Sequence, residues 1–411
     1  MNKNEVQQTI KEHGLDGFIG IVESLLNGYE LPNGTKAKLR PEQISLKELW
    51  EALCPAKYWG MPMKAIQEAG ALDPTGFPTL TEKLLSTAMI DGYNTRPPNA
   101  DRLVPNSIEP RTLTERIPGI TTMEGPKAIV TGERYPRIGF GDKYVDFEQA
   151  LFNKKEGFAV EITEEIVRFD QTNMIVEAAR TAGSTLQTER ERRTVRAVLG
   201  IGADTGTTIG GVYFPNSVDT PLYSASLVNY RTDTLPIYNH PGQTADSKLE
   251  NYTDIQEMMT VQAQNMKDDR LLGTQRPIVW MPDTVLVPTS LASTAANIFQ
   301  AMGITVINPF TAGTGNEIRT QRDGNALSSL FSGQLPTPIA SVYVDEVSST
   351  AWVMYDSRQT FVRINIFPFA TFRSPPGYGW NEDVLFAIKV REWSRVIAKE
   401  YRAAIFASGA A

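Results

Sequence analysis

The sequence predicts an α+β protein of more than one domain, and three observations carry that prediction. Between Gly125 and Gly202 a long charged β-hairpin is followed at once by one long helix. The first 95 residues read as short helices separated by prolines. Residues 277–365 read as a compact α/β unit. At 411 residues the chain is too long for a single core.

The N-terminal segment, 1–95, carries Ser45-Leu46-Lys47-Glu48 and Thr79-Leu80-Thr81-Glu82 ahead of apolar stripes. Both fit the capping box, in which a hydroxyl and a carboxylate three residues on satisfy the free N–H groups of a helix start. Pro41, Pro55, Pro62, Pro74 and Pro78 divide the segment. Residues 96–124 are proline-rich and aperiodic, which predicts an extended connecting arm.

The hairpin occupies 125–157. One arm runs Pro126–Ile138, the turn is Gly139-Phe140-Gly141-Asp142, and the second arm runs Lys143–Leu151. Two glycines supply the positive φ that tight turns use. Val145, Phe147 and Leu151 share one face, with Tyr144, Asp146 and Glu148 on the other. About ten charged side chains lie on the arms and their exit. An isolated hairpin of this kind is marginal in water. It is therefore either a surface hairpin on a larger sheet or an arm lying on a neighbouring subunit.

A strand at Phe158–Ile162 and a turn at Thr163–Glu165 lead into the long helix. Asp170 is its N-cap candidate. From Gln171 to Leu199 there is no proline and one glycine, with Ile175, Ala179, Ala182, Leu186, Val195, Val198 and Leu199 at helical spacing. At 1.5 Å per residue the helix is about 44 Å long. Its middle, TERERRTVR, is polar and holds Arg192 and Arg193. That run reads either as a solvated face laced with i,i+4 pairs or as a face packed against a sister subunit.

A glycine-rich stretch follows at 200–217, and a second helix is expected over Thr253–Leu271. In the α/β unit, strands are expected at Pro277–Met281, Thr284–Val287 and Ile304–Ile307, with a helix capped by Thr289 and ended by Gly303. Ser341–Val344 and Ala351–Tyr355 are expected to pair antiparallel, followed by a strand at Thr360–Phe367. Val384–Arg391 alternates as a strand. The chain reads in six parts: 1–95, 96–124, 125–157, a domain at 158–275 with the long helix, a domain at 276–367, and a C-terminal return at 368–411.

The composition, 41% hydrophobic and 21% charged, is that of a globular protein. A net charge of -7 argues against a dedicated nucleic-acid binder. The single Cys54 excludes an internal disulfide framework and reads as a small buried residue. The N-terminus has no signal-peptide pattern, and no apolar run is long enough to span a bilayer. His13 and His240 lie far apart, which speaks against a multi-histidine metal site or a Ser-His-Asp triad. The glycines at 200, 202 and 206 have the wrong spacing for a dinucleotide loop and follow a helix. No cofactor, metal or catalytic residue is indicated, and the chain is not read as an enzyme.

Four stretches carry a family resemblance when taken in order. They are GERYPRIGFGDKYVDFEQALFNKKEGFAVEITEEIVRFD, the helix after Asp170, TVLVPTSLASTAANIF, and the closing strands from SVYVDEVSSTAWVMYDSRQTFVRINIFPFATFR to GWNEDVLFAIKVREWSRVIAKEYRAAIFA. Across residues 80–407 this order resembles the major capsid protein of tailed bacteriophages, with the Hong Kong ninety-seven shell fold. The resemblance implies an extended loop, a peripheral domain with a spine helix, and an axial domain. It implies hexamers and pentamers closing into an icosahedral head around double-stranded DNA bound without sequence specificity. Scaffold, portal and decoration proteins are its implied partners, and the virion capsid, assembled in host cytoplasm, its implied location.

Arg134, Tyr135, Arg137, Lys143, Asp146, Arg192 and Arg193 are the candidate intersubunit contacts. Some family members cross-link a loop lysine to an asparagine near the C-terminal strand. Lys143, Lys154 and Lys155 lie on or near the loop, but Phe386 stands at the asparagine position, so no cross-link is expected. Some members also lose an N-terminal segment, whereas residues 1–95 here are well patterned and are expected to stay. The rival readings are an encapsulin-type compartment around cargo enzyme, a soluble enzyme, and another phage head component.

Overall fold

A computed structural model describes residues 3–30, 36–37, 40–53, 76–95, 99–110, 114–118, 146–150, 156–169, 172–200, 248–265, 267–268, 276–277, 281–300, 304–306, 321–323, 335–374, 384–398, 403–407 and 409. In chain order the elements begin with α1 (Lys3–Asn27), β1 (Tyr29–Glu30), β2 (Lys36–Ala37), α2 (Leu46–Leu53), α3 (Gly76–Tyr93) and α4 (Asn99–Leu103). Next come β3 (Ser107–Ile108), β4 (Thr114–Pro118), β5 (Asp146–Ala150), β6 (Glu156–Thr163), α5 (Glu164–Arg168) and α6 (Thr172–Val198). They continue with α7 (Tyr252–Asn265), β7 (Lys267–Asp268), β8 (Arg276–Pro277), β9 (Thr284–Val287), α8 (Ala292–Gln300), β10 (Ile304–Val306) and β11 (Gln321–Asp323). The last are β12 (Thr337–Ala340), α9 (Val342–Asp345), β13 (Trp352–Tyr355), β14 (Phe361–Arg373), β15 (Val384–Ala398) and β16 (Ala404–Ala407). The mixture of helix and strand is α+β.

The chain forms two compact units. The first comprises Met1–Pro98, Lys154–Arg190 and Phe367–Trp393; the second comprises Asn99–Asn153, Glu191–Ile366 and Ser394–Ala411.

In the first unit β6 and β15 pair antiparallel, from Glu156 opposite Glu392 to Thr163 opposite Val384, with an irregularity between Val384 and Phe386. Ile388 and Val390 are buried while Lys389 between them is exposed, the period-two signature of a sheet with one covered face. The cover is helical. Leu26 of α1, Trp50 of α2, Leu84 of α3 and Ala179 of α6 share one core with those strand residues. Trp50 and Phe77 meet edge to face, ring centroids 5.0 Å apart.

Local chemistry sets these helices. Gly14, at φ 73°, takes the left-handed turn that bends α1. Ser45 Oγ accepts the Glu48 N–H at 3.2 Å, as the capping pattern predicts, and the Leu46 N–H donates to Thr172 Oγ1 at 2.9 Å. The second capping prediction is corrected. α3 already begins at Gly76, with Pro78 in its first turn, where a proline removes no intrahelical hydrogen bond. Thr79 therefore lies inside the helix rather than at its cap. α6 is 27 residues, about 40 Å long. It meets α3 through glycines. A Cβ on Gly183 would run into the Met89 carbonyl oxygen, and one on Gly92 into that of Arg180.

The second unit is built on a four-stranded sheet in the order β12-β9-β13-β16. β9 and β12 are parallel; β13 pairs antiparallel with β9 and with β16. All four residues of β9 and of β13 are buried, because both faces are covered. Leu286, Val353 and Tyr355 face one core with Val195 and Val198. Val285, Val287, Trp352 and Met354 face the other with Met258 and Phe299.

Several sequence expectations are corrected. Ser341–Val344 is not a strand: Ser341 Oγ accepts the Tyr343 N–H at 3.3 Å and starts the short helix α9. β13 consequently pairs with β9 and β16 instead. The expected turn at Thr163–Glu165 is the start of α5. The helix expected over 253–271 ends at Asn265, with β7 and β8 pairing beyond it. Met281 falls outside any strand. The connecting arm contains α4 and β4, and β4 is the observed antiparallel partner of β5, with Ile117 opposite Phe147. The first hairpin arm, Pro126–Ile138, and the turn at Gly139–Asp142 lie outside the described residues.

Candidate functional site

The polar middle of α6 is where the sequence left two readings open, and the structure shows what these side chains touch. In the first unit Arg190 Nε stands 3.5 Å from Glu392 Oε1. The two side chains are 15% and 5% exposed, so Glu392 is buried and Arg190 is mostly covered. Tyr93 donates its hydroxyl to Glu392 Oε2 at 3.3 Å and accepts a hydrogen bond from Arg190 Nη1. Its ring packs on Phe369, centroids 4.5 Å apart. Burial pushes the Tyr93 hydroxyl above its ordinary pKa; the Glu392 charge adds to the rise and Arg190 opposes it. The triad ties α3, α6 and β15 together.

In the second unit Arg192 Nε donates to Glu346 Oε2 at 2.9 Å, and Arg196 Nη2 reaches the same oxygen at 3.4 Å. Arg193 Nη1 donates to the Ser394 carbonyl at 3.3 Å, and Glu191 accepts from Asn99 Nδ2 at 3.1 Å. These side chains reach residues far away in sequence.

Of the other candidate contact residues, Arg134, Tyr135, Arg137 and Lys143 lie outside the described residues. Asp146 is the first residue of β5, opposite Pro118. Lys154 and Lys155 also lie outside the described residues, and Phe386 pairs with Ile162 in the β15–β6 ladder.

Two further surfaces escaped the sequence reading. Phe169, the C-cap of α5, and Met174, in the first turn of α6, are each 68% exposed. On β14 and β15 the Arg391 guanidinium lies 4.9 Å from the Phe367 ring centre and 4.3 Å from that of Phe372. Lys389 Nζ is 5.8 Å from Phe372. The alternation of Val384–Arg391 already hinted at such a face, since it leaves Lys389 and Arg391 opposite the buried stripe.

Nothing in these arrangements resembles a reaction centre. Among the described residues no group of three or more His, Cys, Asp or Glu side chains converges. A void of about 10 Å³ lined by apolar side chains of α1, α2 and α3 and by Ser45 is no larger than one water. His13 is exposed; His240 and Cys54 lie outside the described residues. Asp356 is buried in the turn after β13. Its Oδ1 accepts the Arg358 and Gln359 N–H groups at 2.9 and 3.1 Å. Burial raises its pKa, those two hydrogen bonds oppose the rise, and the nearby Asp283 charge adds to it. No helix among the described residues is long and apolar enough to cross a membrane.

Comparison with known proteins gives one family. A family model described as "Phage capsid protein" matches residues 148–406, more than half of the chain. No curated protein sequence matches. Among solved structures, the virus-like particle from Pyrococcus furiosus is similar at 11% identity and TM-score 0.39, over 79% of this chain and 97% of that one. The capsid of Myoviridae phage XM1 is similar at 12% identity and TM-score 0.37, over 73% and 86%. The holo-SrpI encapsulin complex from Synechococcus elongatus is similar at 12% identity and TM-score 0.37, over 77% and 89%. At these scores family membership rests on the sequence match.

Proposed function

This chain belongs to the phage capsid protein family, and we propose that it is the major capsid protein of a tailed bacteriophage, closing as hexamers and pentamers into an icosahedral head. The single observation that carries the reading is the family match over residues 148–406, which takes in α6, the sheet around β9 and β13, and the β15 ladder. The construction of the subunit supports it. Side chains of a long helix hold elements distant in the sequence. Closed symmetric assembly lets many modest contacts act together.

In this proposal the unit built on β6, β15 and the first part of α6 belongs to the peripheral domain, the sheet β12-β9-β13-β16 belongs to the axial domain, and 125–157 is the extended loop on a neighbour. Arg134, Tyr135, Arg137, Lys143 and Asp146 touch that neighbour. Arg192 and Arg193, which bind inside the subunit, take a positioning part by holding the partners of α6. The head encloses double-stranded DNA, and the net charge of -7 suits a wall that faces DNA without gripping it. Scaffold, portal and decoration proteins join it in the host cytoplasm.

Negative-stain electron microscopy with light scattering tests the reading. Closed shells, tubes or capsomer rings are expected, with DNA inside native particles; packaged enzyme in its place would turn the reading to a cargo compartment. A monomer or dimer that persists with concentration and with co-expressed scaffold refutes it. Arg134→Glu or Lys143→Glu should block assembly and leave the subunit folded. Normal heads from both variants would overturn the loop assignment.

A further inference from the structure

The matched family region stops short of the N-terminal helices, yet those helices supply most of a core that the region cannot close alone. Thirteen of the twenty-two described buried residues in that core come from Phe18 to Met89. The other nine, among them Ile162, Val176 and Ile388, lie on β6, α5, α6 and β15. Directed contacts reinforce the apolar ones. Leu46 donates to Thr172, Ser86 to Thr371 at 3.1 Å, and Arg373 to Thr79 at 3.4 Å. Tyr93 stands between Arg190 and Glu392. At Gly183 and Gly92 the α3 and α6 backbones approach too closely for any Cβ. Glycine at both sides of one crossing is what so close a backbone approach requires.

We infer that the helices α1, α2 and α3 are a permanent layer of the shell-forming unit, retained through assembly, and not part of a leader that is removed. Its removal leaves Ile162, Ile388 and Val390 facing water and strips the Tyr93 hydroxyl from a buried carboxylate. The inference depends on the capsid reading only for the particle in which one of its readouts is made.

A protease recognition sequence inserted after Thr95, an exposed position beyond the end of α3, allows the folded full chain to be cut once. The two fragments are expected to co-elute under native conditions, to separate only in denaturant, and to remain one to one in particles. Release of the N-terminal fragment from an otherwise folded or assembled remainder overturns the inference. Intact mass of particles from the unaltered chain is the second readout, and a mass lacking residues 3–93 also overturns it. Should the chain form no shells, the capsid reading fails, while co-elution of the cut subunit still decides this one.

Discussion

Gly183→Ala sets two opposed effects against each other at one position. In a helix interior alanine is favoured over glycine by about 1 kcal/mol. At Gly183 the added methyl would meet the Met89 carbonyl oxygen, with the Met89 carbonyl carbon at 2.9 Å and the Tyr93 nitrogen at 3.0 Å. Those atoms are backbone of α3, so no side chain can swing away, and relief requires the two helices to separate. Overpacking of this kind costs roughly 1–3 kcal/mol, and an obstacle that cannot move places this site at the upper end. The net expectation is a loss of about 1–2 kcal/mol, which lowers the urea midpoint without changing the slope of the transition. Ala178→Gly on the exposed side of the same helix is the control; it should lose about 1 kcal/mol through propensity alone. Urea unfolding of soluble subunits followed by circular dichroism measures both. A Gly183→Ala subunit as stable as the unaltered one, or more so, would refute the close-packed crossing.

Three other predictions concern the buried polar groups. Glu392→Gln leaves Arg190 without its carboxylate in a buried setting and should cost about 3 kcal/mol, read as a lower urea midpoint; an unchanged midpoint would show that the pair contributes nothing. The raised pKa of Tyr93 means that the fold holds this proton more tightly than the unfolded chain. Stability is therefore fully present below about pH 10 and falls as pH rises beyond it, and Tyr93→Phe should flatten the decline in melting temperature above about pH 10. Asp356→Asn keeps an oxygen for the Arg358 and Gln359 N–H groups and removes a desolvated charge, so denaturation should find it within about 1 kcal/mol of the parent. Asp356→Ala should lose about 1–2 kcal/mol, and equal effects from the two would disprove the capping role.

Much of the fold was legible in the sequence, for identifiable reasons. The long helix could be read because a proline-free run with apolar residues at helical spacing admits no strand alternative at that length. β9, β13 and β15 were legible as short apolar or alternating runs. The SVYV run failed for the same reason that the others succeeded. Three β-prone residues, Val342, Tyr343 and Val344, fit a strand, whereas the Ser341 cap and the docking of Thr289 on Asp345 favour one helical turn. Asp345 lies 56 residues beyond Thr289, outside any local window.

What the sequence by itself determined was the local grammar: the class of elements, the capping of α2 by Ser45, the uninterrupted course of α6, and the order of parts that marks the family. The tertiary structure alone decided what lies opposite what. Among the described residues β5 pairs with β4, a segment with no strand pattern of its own. The arginines of α6 turned out to be clamps because their acceptors, Glu392, Glu346 and the Ser394 carbonyl, lie 150 to 202 positions away in the chain. Gly183 was visible as a letter, yet its role depends on a second helix arriving at backbone distance. Periodicity reports only that a face will be buried, since water is expelled from any apolar stripe; which surface covers it is settled by the shape and hydrogen bonding of a partner distant in the sequence.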